Sequence, residues 1–336
     1  MEKATKNTIP IFFAVDDNYI PQLAVALRSL IDNSSVKNYY EITVLVDKLS
    51  EDNRTAILDM QESNVSISFV SVTERLASIC RALHIRDYYT NTTYYRFFIP
   101  EMFPQYDKGI YLDCDIVITC DIAKMYRYSL GSRLAGVITD EIVSDIDVFA
   151  NYSEVVLGIS RWDYFNAGIM LMNLDAMRKM HIEERFAQLL GERTFAVAQD
   201  QDYLNVLCQN NLKHLSKSWN KTPLPSSDPK KVPYIIHYKI NFKPWRYDGI
   251  VYGEYFWKYA KRTPYYRYFA NMKAAYTDEQ KLRDQKQYDA LADMARLETE
   301  NELKLQRAME EMDLISFDFF DLSDNTANPA EAAEAI

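Results

Sequence analysis

The chain reads as an α/β protein: a Rossmann-like mixed sheet flanked by helices, followed by a helical C-terminal extension. Three observations predict it. Short apolar runs alternate with stretches of helical periodicity over residues 9–83. A later apolar run, Lys108 to Leu112, ends directly in Asp113-Cys114-Asp115. After Trp257 the composition turns aromatic and basic, then strongly acidic.

The elements follow in order. Ile9 to Val15 is a short apolar strand; Asp16, Asp17 and Asn18 form a loop, and Ile20 to Ile31 has apolar residues at helical spacing. The same unit recurs as strand Glu41 to Val46 with helix Asp52 to Met60, and as strand Val65 to Val72 with helix Glu74 to Leu83. Such alternation implies parallel strand pairs with helices on the faces. Lys108 to Leu112 and Ile116 to Ile118 add extended segments either side of Asp113-Cys114-Asp115. Residues Asp140 to Arg161 are irregular, with short helices over the site as one reading. Tyr164 to Asn173 is apolar again, Asp175 to Leu190 reads as one helix, and Gln199 to Cys208 as another. Lys221 to Pro233, rich in Pro, Ser and Lys, is a loop before a short strand, Tyr234 to His237.

Residues 1–250 form the expected catalytic domain, 251–313 the helical extension and 314–336 an acidic, disordered tail. Lys258, Lys261, Arg262, Tyr265, Tyr266, Arg267 and Tyr268 suit either an interfacial helix at a membrane surface or, slightly favoured, a helix packing its tyrosines on the main domain. Thr277 to Glu311 suggests an exposed helix, with self-association as an option.

Net charge is −10, but residues 277–336 hold 16 acidic against 6 basic side chains, so the other 276 residues carry 32 of each sign. No basic excess argues for nucleic acid. No apolar stretch approaches the roughly 18 to 20 residues that span a bilayer. Cys80, Cys114, Cys120 and Cys208 form no CxxC pair. Together these point to a soluble cytoplasmic protein, with peripheral contact at the inner membrane face as the variant.

In open α/β sheets, ligands sit beyond the carboxyl ends of the strands, where Asp16 and Asp113 fall. Asp113 and Asp115 suit a hard divalent cation, which can neutralise a departing diphosphate. His237 can complete such a site, and Lys243, six residues on, can meet phosphate oxygens. Each signal alone favours the plain alternative: a solvated turn, a hydrogen-bonded histidine and, for Gln199-Asp200-Gln201-Asp202, a helix start favoured by the dipole.

Together and in order, six stretches resemble the retaining glycosyltransferases of family 8: Phe13-Ala14-Val15-Asp16-Asp17-Asn18-Tyr19, Tyr95-Arg96-Phe97, Tyr111 to Asp115, Tyr164-Phe165-Asn166-Ala167-Gly168, Gln199 to Asp202, and His237 to Trp245. The resemblance implies a GT-A-like nucleotide-diphospho-sugar transferase fold. It implies a nucleotide against Ala14, Asp16, Asn18 and Tyr19, and manganese, or magnesium, on Asp113, Asp115 and His237. It places Arg96, Cys114, Asn166, Asp200 and Lys243 against the donor, with Asp200 and Gln201 at the reacting carbon. The donor would be UDP-glucose or UDP-galactose, and the acceptor a saccharide, such as lipopolysaccharide or another cell-surface glycan, or a glycoprotein. Such enzymes typically carry glycine three residues after the metal-binding histidine; here Ile240 stands there.

The rival from another class is a non-catalytic sugar-nucleotide-binding or scaffolding protein of the same fold. A nicotinamide-dependent oxidoreductase would need a Gly-rich turn where Asp16-Asp17-Asn18 stands. With 25 tyrosines, a self-glucosylating primer stays open. Leu314 to Asp321 resembles the first strand and aspartate loop of haloacid-dehalogenase-like phosphatases, with too little chain after it for a second domain.

Overall fold

The computed structural model describes residues 7–75 and 92–311. The helix expected at Glu74 to Leu83 lies for the most part outside them, as do Cys80 and the whole segment from Leu314 onward.

Among the described residues nine strands form two sheets. They are β1 (Asn7–Ala14), β2 (Asn38–Val46), β3 (Val65–Ser71), β4 (Lys108–Leu112), β5 (Ile116–Ile118), β6 (Ala135–Val137), β7 (Ile169–Asn173), β8 (Leu212–His214) and β9 (Ile235–His237). The seven-stranded sheet runs β3-β2-β1-β4-β7-β6-β8, and β5 pairs with β9 apart from it. β3, β2, β1 and β4 are mutually parallel, whereas β7 runs antiparallel to both β4 and β6.

That one reversal assembles the site. Because β7 is reversed, the residues before it reach the same sheet edge as the residues after β1, β4 and β6. Asp16, Asp113, Asn166 and Asp140 therefore stand along one edge, with Leu112 paired to Ile169. The small sheet does the rest: Ile116 pairs with His237 and the Tyr238 N–H donates to the Asp115 carbonyl at 2.9 Å, which brings His237 beside the Asp113–Asp115 turn.

β1 is buried on both faces, as a central strand of a helix-covered sheet should be. Ile9, Ile11 and Phe13 face a core shared with α1 (Ile20–Asp32), and Phe12 faces a second core on the other side. α2 (Glu51–Leu58) follows β2. The irregular segment after β6 does contain two short helices, α3 (Glu141–Asp145) and α4 (Asp147–Val155). The single helix expected at Asp175 to Leu190 is instead two, α5 (Leu174–Lys179) and α6 (Ile182–Glu192), broken at His181 with φ 55°. The buried residues explain the break. Leu174, Met177, Ile182, Phe186 and Leu190 are spaced 3, 5, 4 and 4 apart, and the step of five rotates the apolar stripe off one helical face. α7 (Asp200–Cys208) begins at the acidic cluster as expected. β6 and β8 were not anticipated; three residues are too few to show a period.

The aromatic C-terminal segment packs inward. α8 (Gly253–Ala260) and α9 (Tyr266–Ala274) bury Phe256, Tyr259 and Phe269 against Trp245, Tyr238 and Ile236, while Tyr266 and Tyr268 stay exposed. α10 (Asp278–Glu311) is 34 residues long and lies against α4 with Ala295 wholly buried. Among the described residues no helix is long and apolar enough to cross a membrane.

Candidate active site

Asp113 and Asp115 follow β4, and His237 ends β9. Each offers a ligand atom, and these atoms all lie within 4.8 Å of one another. His237 Nε2 is 3.1 Å from Asp115 Oδ1 and 3.7 Å from Asp113 Oδ2. The other ring nitrogen, Nδ1, lies 3.0 Å from Asn220 Oδ1, whose own Nδ2 donates to Asn166 Oδ1 at 2.8 Å. An amide oxygen only accepts, so Nδ1 carries a proton, which leaves Nε2 as the ring atom free to turn to a cation held with the carboxylates. Two carboxylate oxygens and one imidazole nitrogen suit a divalent cation.

Gly168 shows how tight this corner is. A Cβ there would stand 2.4 Å from Asp113 Oδ2 and 2.5 Å from His237 Cε1. Its carbonyl accepts the Asp113 N–H at 2.7 Å, so the chain before β7 forms one wall of the group.

Cations surround the carboxylates. Lys243 Nζ donates to Asp115 Oδ2 at 2.5 Å, and Arg96 Nη2 to Asp113 Oδ1 at 3.2 Å. Burial pushes the Asp115 carboxyl up, but Lys243 and His237 outweigh it and hold the group well below the usual carboxylate range. Arg96 sits over the Tyr111 ring at 4.3 Å, bonds the Ala167 carbonyl, and approaches Asp200 Oδ2 at 3.3 Å. Burial raises the Asp200 carboxyl, with Arg96 opposing.

Beside this group lies a second, built around the Gln201 carboxamide. Gln201 Oε1 accepts from Asn166 Nδ2 at 2.8 Å and from the Ala167 N–H at 3.1 Å, and its Nε2 donates to the Tyr164 hydroxyl at 3.1 Å. Asp140 accepts from Asn166 at 2.9 Å, from the Ile142 N–H at 2.9 Å and from Lys239 at 3.1 Å. Burial pushes Asp140 up, yet Lys239 and these donors hold it below its ordinary value. Both groups border one cavity of about 330 Å³, lined by Asp113, Asp115, Asp140, Asn166, Gln201 and His237 on one side. Ile142, Phe149, Val197, Ile240 and Leu291 are among its other lining residues.

The nucleotide candidates stand at the end of β1. Asp16 and Asn18 are exposed, Ala14 and Tyr19 half-buried, and none of these four is among the cavity's lining residues. Asp16 Oδ1 accepts the Tyr19 N–H at 2.9 Å, shaping the turn, and Cys114 Sγ donates to the Ala14 carbonyl at 3.5 Å. Burial lifts the Tyr19 hydroxyl to about 12, with Lys243 and Asp115 close enough to act on it. The β1 turn thus adjoins the metal-type group.

Ile240 keeps a left-handed backbone, φ 49°, although it is β-branched. That conformation costs a non-glycine residue roughly 1–2 kcal/mol, and Ile240 recovers part of it by packing on the apolar side of the cavity. Ile240 thus takes the positive φ for which glycine is the usual residue.

Four contributors escaped sequence reasoning. Asp140 carries a weak signal, an acidic residue capping an apolar run, and Lys239 lies inside the His237 to Trp245 loop. Tyr164 sits in a recognised stretch without an assigned role. Asn220 has no local signal, since only the pairing of β9 brings it to His237.

A model of the family described as "Glycosyl transferase family 8" matches residues 10–249. A Haemophilus influenzae protein named as a glycosyltransferase is 27% identical over 219 residues, 64% of this chain and 64% of its own length. The Escherichia coli lipopolysaccharide 1,2-glucosyltransferase is 24% identical over 261 residues, 71% of this chain and 74% of that protein. A solved structure of the galactosyltransferase LgtC with donor and acceptor sugar analogues superposes with a TM-score of 0.62 at 24% identity, covering 76% of this chain and 96% of that one.

Proposed function

Because the chain belongs to glycosyl transferase family 8, we propose that it moves glucose or galactose from a UDP-sugar to a saccharide or glycoprotein acceptor, with retention at the anomeric carbon. The observation that carries this reading is the convergence of Asp113, Asp115 and His237 beside a cavity floored by Asn166 and Gln201. Asp113, Asp115 and His237 would hold manganese, with magnesium as the substitute; when bound, such an ion neutralises a leaving diphosphate.

The other residues supply binding and orientation. Ala14, Asp16, Asn18 and Tyr19 take the nucleotide, with the Tyr19 ring against uracil. Lys243 meets the diphosphate as a point charge, while Arg96, Asn166 and Asp200 hold sugar hydroxyls and Cys114 lines the donor path. Gln201 faces the reacting carbon. Its carboxamide is a poor nucleophile and its oxygen is an acceptor dipole, which suits stabilising positive charge while the attacking hydroxyl enters on the leaving group's own face.

The test is donor hydrolysis across a panel of nucleotide-sugars. The wild type should split UDP-glucose or UDP-galactose slowly with manganese, and Asp115→Ala should not. Equal turnover by the variant would remove the metal assignment, and turnover of no UDP-sugar would remove the donor.

A further inference from the structure

α10 lies beyond the residues matched by the family model, yet it reaches the site at two points. The face it turns inward is a regular stripe. Asp284, Tyr288, Leu291, Ala295 and Glu302 follow helical spacing, and each touches the main body. Tyr288 meets the Phe149 ring at 6.1 Å, Leu291 lines the cavity, Ala295 is wholly buried and Glu302 pairs with Arg193 at 3.3 Å.

Asp284 is the unusual member, a carboxylate 7% exposed on an otherwise solvated helix. Its Oδ2 accepts from the Tyr247 and Tyr276 hydroxyls, both at 2.7 Å. Arg246 Nη1 reaches both its oxygens, at 3.5 and 3.4 Å, and its backbone carbonyl accepts from Asn241 Nδ2 at 3.4 Å. Three of these four partners, Asn241, Arg246 and Tyr247, flank Lys243 in the segment that begins at Ile240. Gathering so many donors around one carboxylate gains only if the segment stays put, because without it Asp284 would keep Tyr276 alone of its four partners.

We propose that Asp284 is a positioning residue for the transfer site, clasping residues 240–247 so that Lys243 stands over Asp115 and Ile240 closes the cavity against Leu291. It touches no reacting atom; it fixes the group that meets the donor's diphosphate. The proposal rests on the donor reading above only for its consequence, since the clasp itself is a property of the chain.

The experiment measures both levels on the full chain. Amide hydrogen exchange of residues 238–247 is compared in wild type, Asp284→Ala and Asp289→Ala, the last an exposed α10 position. UDP affinity in manganese is measured in parallel by calorimetry. In Asp284→Ala the loop should exchange faster and UDP affinity should fall on the order of 10-fold, as for residues that orient a ligand-binding shell; Asp289→Ala should match wild type in both. If Asp284→Ala unfolds, Tyr247→Phe and Tyr276→Phe, each removing one donor, should give smaller changes of the same sign. Unchanged loop exchange overturns the clasp, and a loosened loop with unaltered UDP affinity overturns its bearing on the site. A wild type that binds no UDP counts against the donor reading and leaves the exchange result to decide the clasp.

Discussion

The Asp113–Asp115–His237 corner and the Asp140–Asn166–Gln201 network share one cavity but are built on opposite principles. In the corner, two carboxylates and an imidazole crowd together, and the compensating charges, Lys243 and Arg96, approach from outside. In the network every amide and carboxylate already has donors and acceptors matched, with Gln201 held by Asn166, Ala167 and Tyr164. The corner is arranged to gain from a cation. The network is arranged to keep a carboxamide still. A site that separates these tasks can tune ion affinity and sugar orientation through different residues, and substitutions should tell the two apart.

The largest expected effect is in the corner. Asp115→Ala should lower manganese-dependent hydrolysis of the donor by roughly 100-fold or more, because it removes a proposed ligand and leaves Lys243 buried without its partner. Steady-state rates at saturating donor check this, and loss that tracks protein unfolding rather than metal would break the comparison. Next comes Gly168→Ala. Its methyl group would press on Asp113 and His237, so manganese affinity should fall on the order of 10- to 100-fold, read by metal titration, with thermal stability changed less. Asn220→Ala tests orientation: it frees the Nδ1 face of His237, along with the Asn166 oxygen, and should weaken metal binding by about 10-fold without altering metal-free stability in proportion.

The network predictions differ in kind. Gln201→Ala should cut kcat by roughly 10- to 100-fold while leaving metal affinity near wild type, since it removes the group proposed to face the reacting carbon rather than the ion. Equal loss of metal affinity would merge the two regions into one.

The smallest effect is a pH dependence. Asp202, the neighbour of Gln201, accepts from Tyr152, Tyr164 and the Ala198 N–H, yet burial outweighs those bonds and lifts its carboxyl from 3.8 to about 6. Between those values the folded chain keeps a proton that the unfolded chain has released. The stabilisation is therefore present at low pH and is lost as pH rises through about 6. Relative to Asp202→Asn, the wild type should lose up to roughly 3 kcal/mol between pH 4 and 7, measured by denaturant titration at each pH. A flat difference would show that the carboxyl titrates normally.

Much of this was legible before any coordinates. The strand and helix alternation at the N-terminus rests on local periodicity, which physical packing honours because a half-buried element needs its apolar residues on one side. β4, ending just before Asp113, and α7, opening on Asp200 and Asp202, came out where the sequence put them. The broken helix at His181 was readable in the five-residue step from Met177 to Ile182, but a run of helix-forming residues hid it.

Local chemistry by itself determined which side chains carry charge, which turns follow which strands, and that Asp113 and Asp115 would share a turn. Only the tertiary structure decided who meets whom. The reversal of β7 carried Asn166 and Gly168 to the Asp113 edge; the pairing of β5 with β9 set His237, with Asn220 behind it, against Asp115; and α10 laid Asp284 against a loop about forty residues earlier in the chain. Those meetings depend on strand order and on long-range burial, where the free energy belongs to pairs of distant segments and neither segment alone records it.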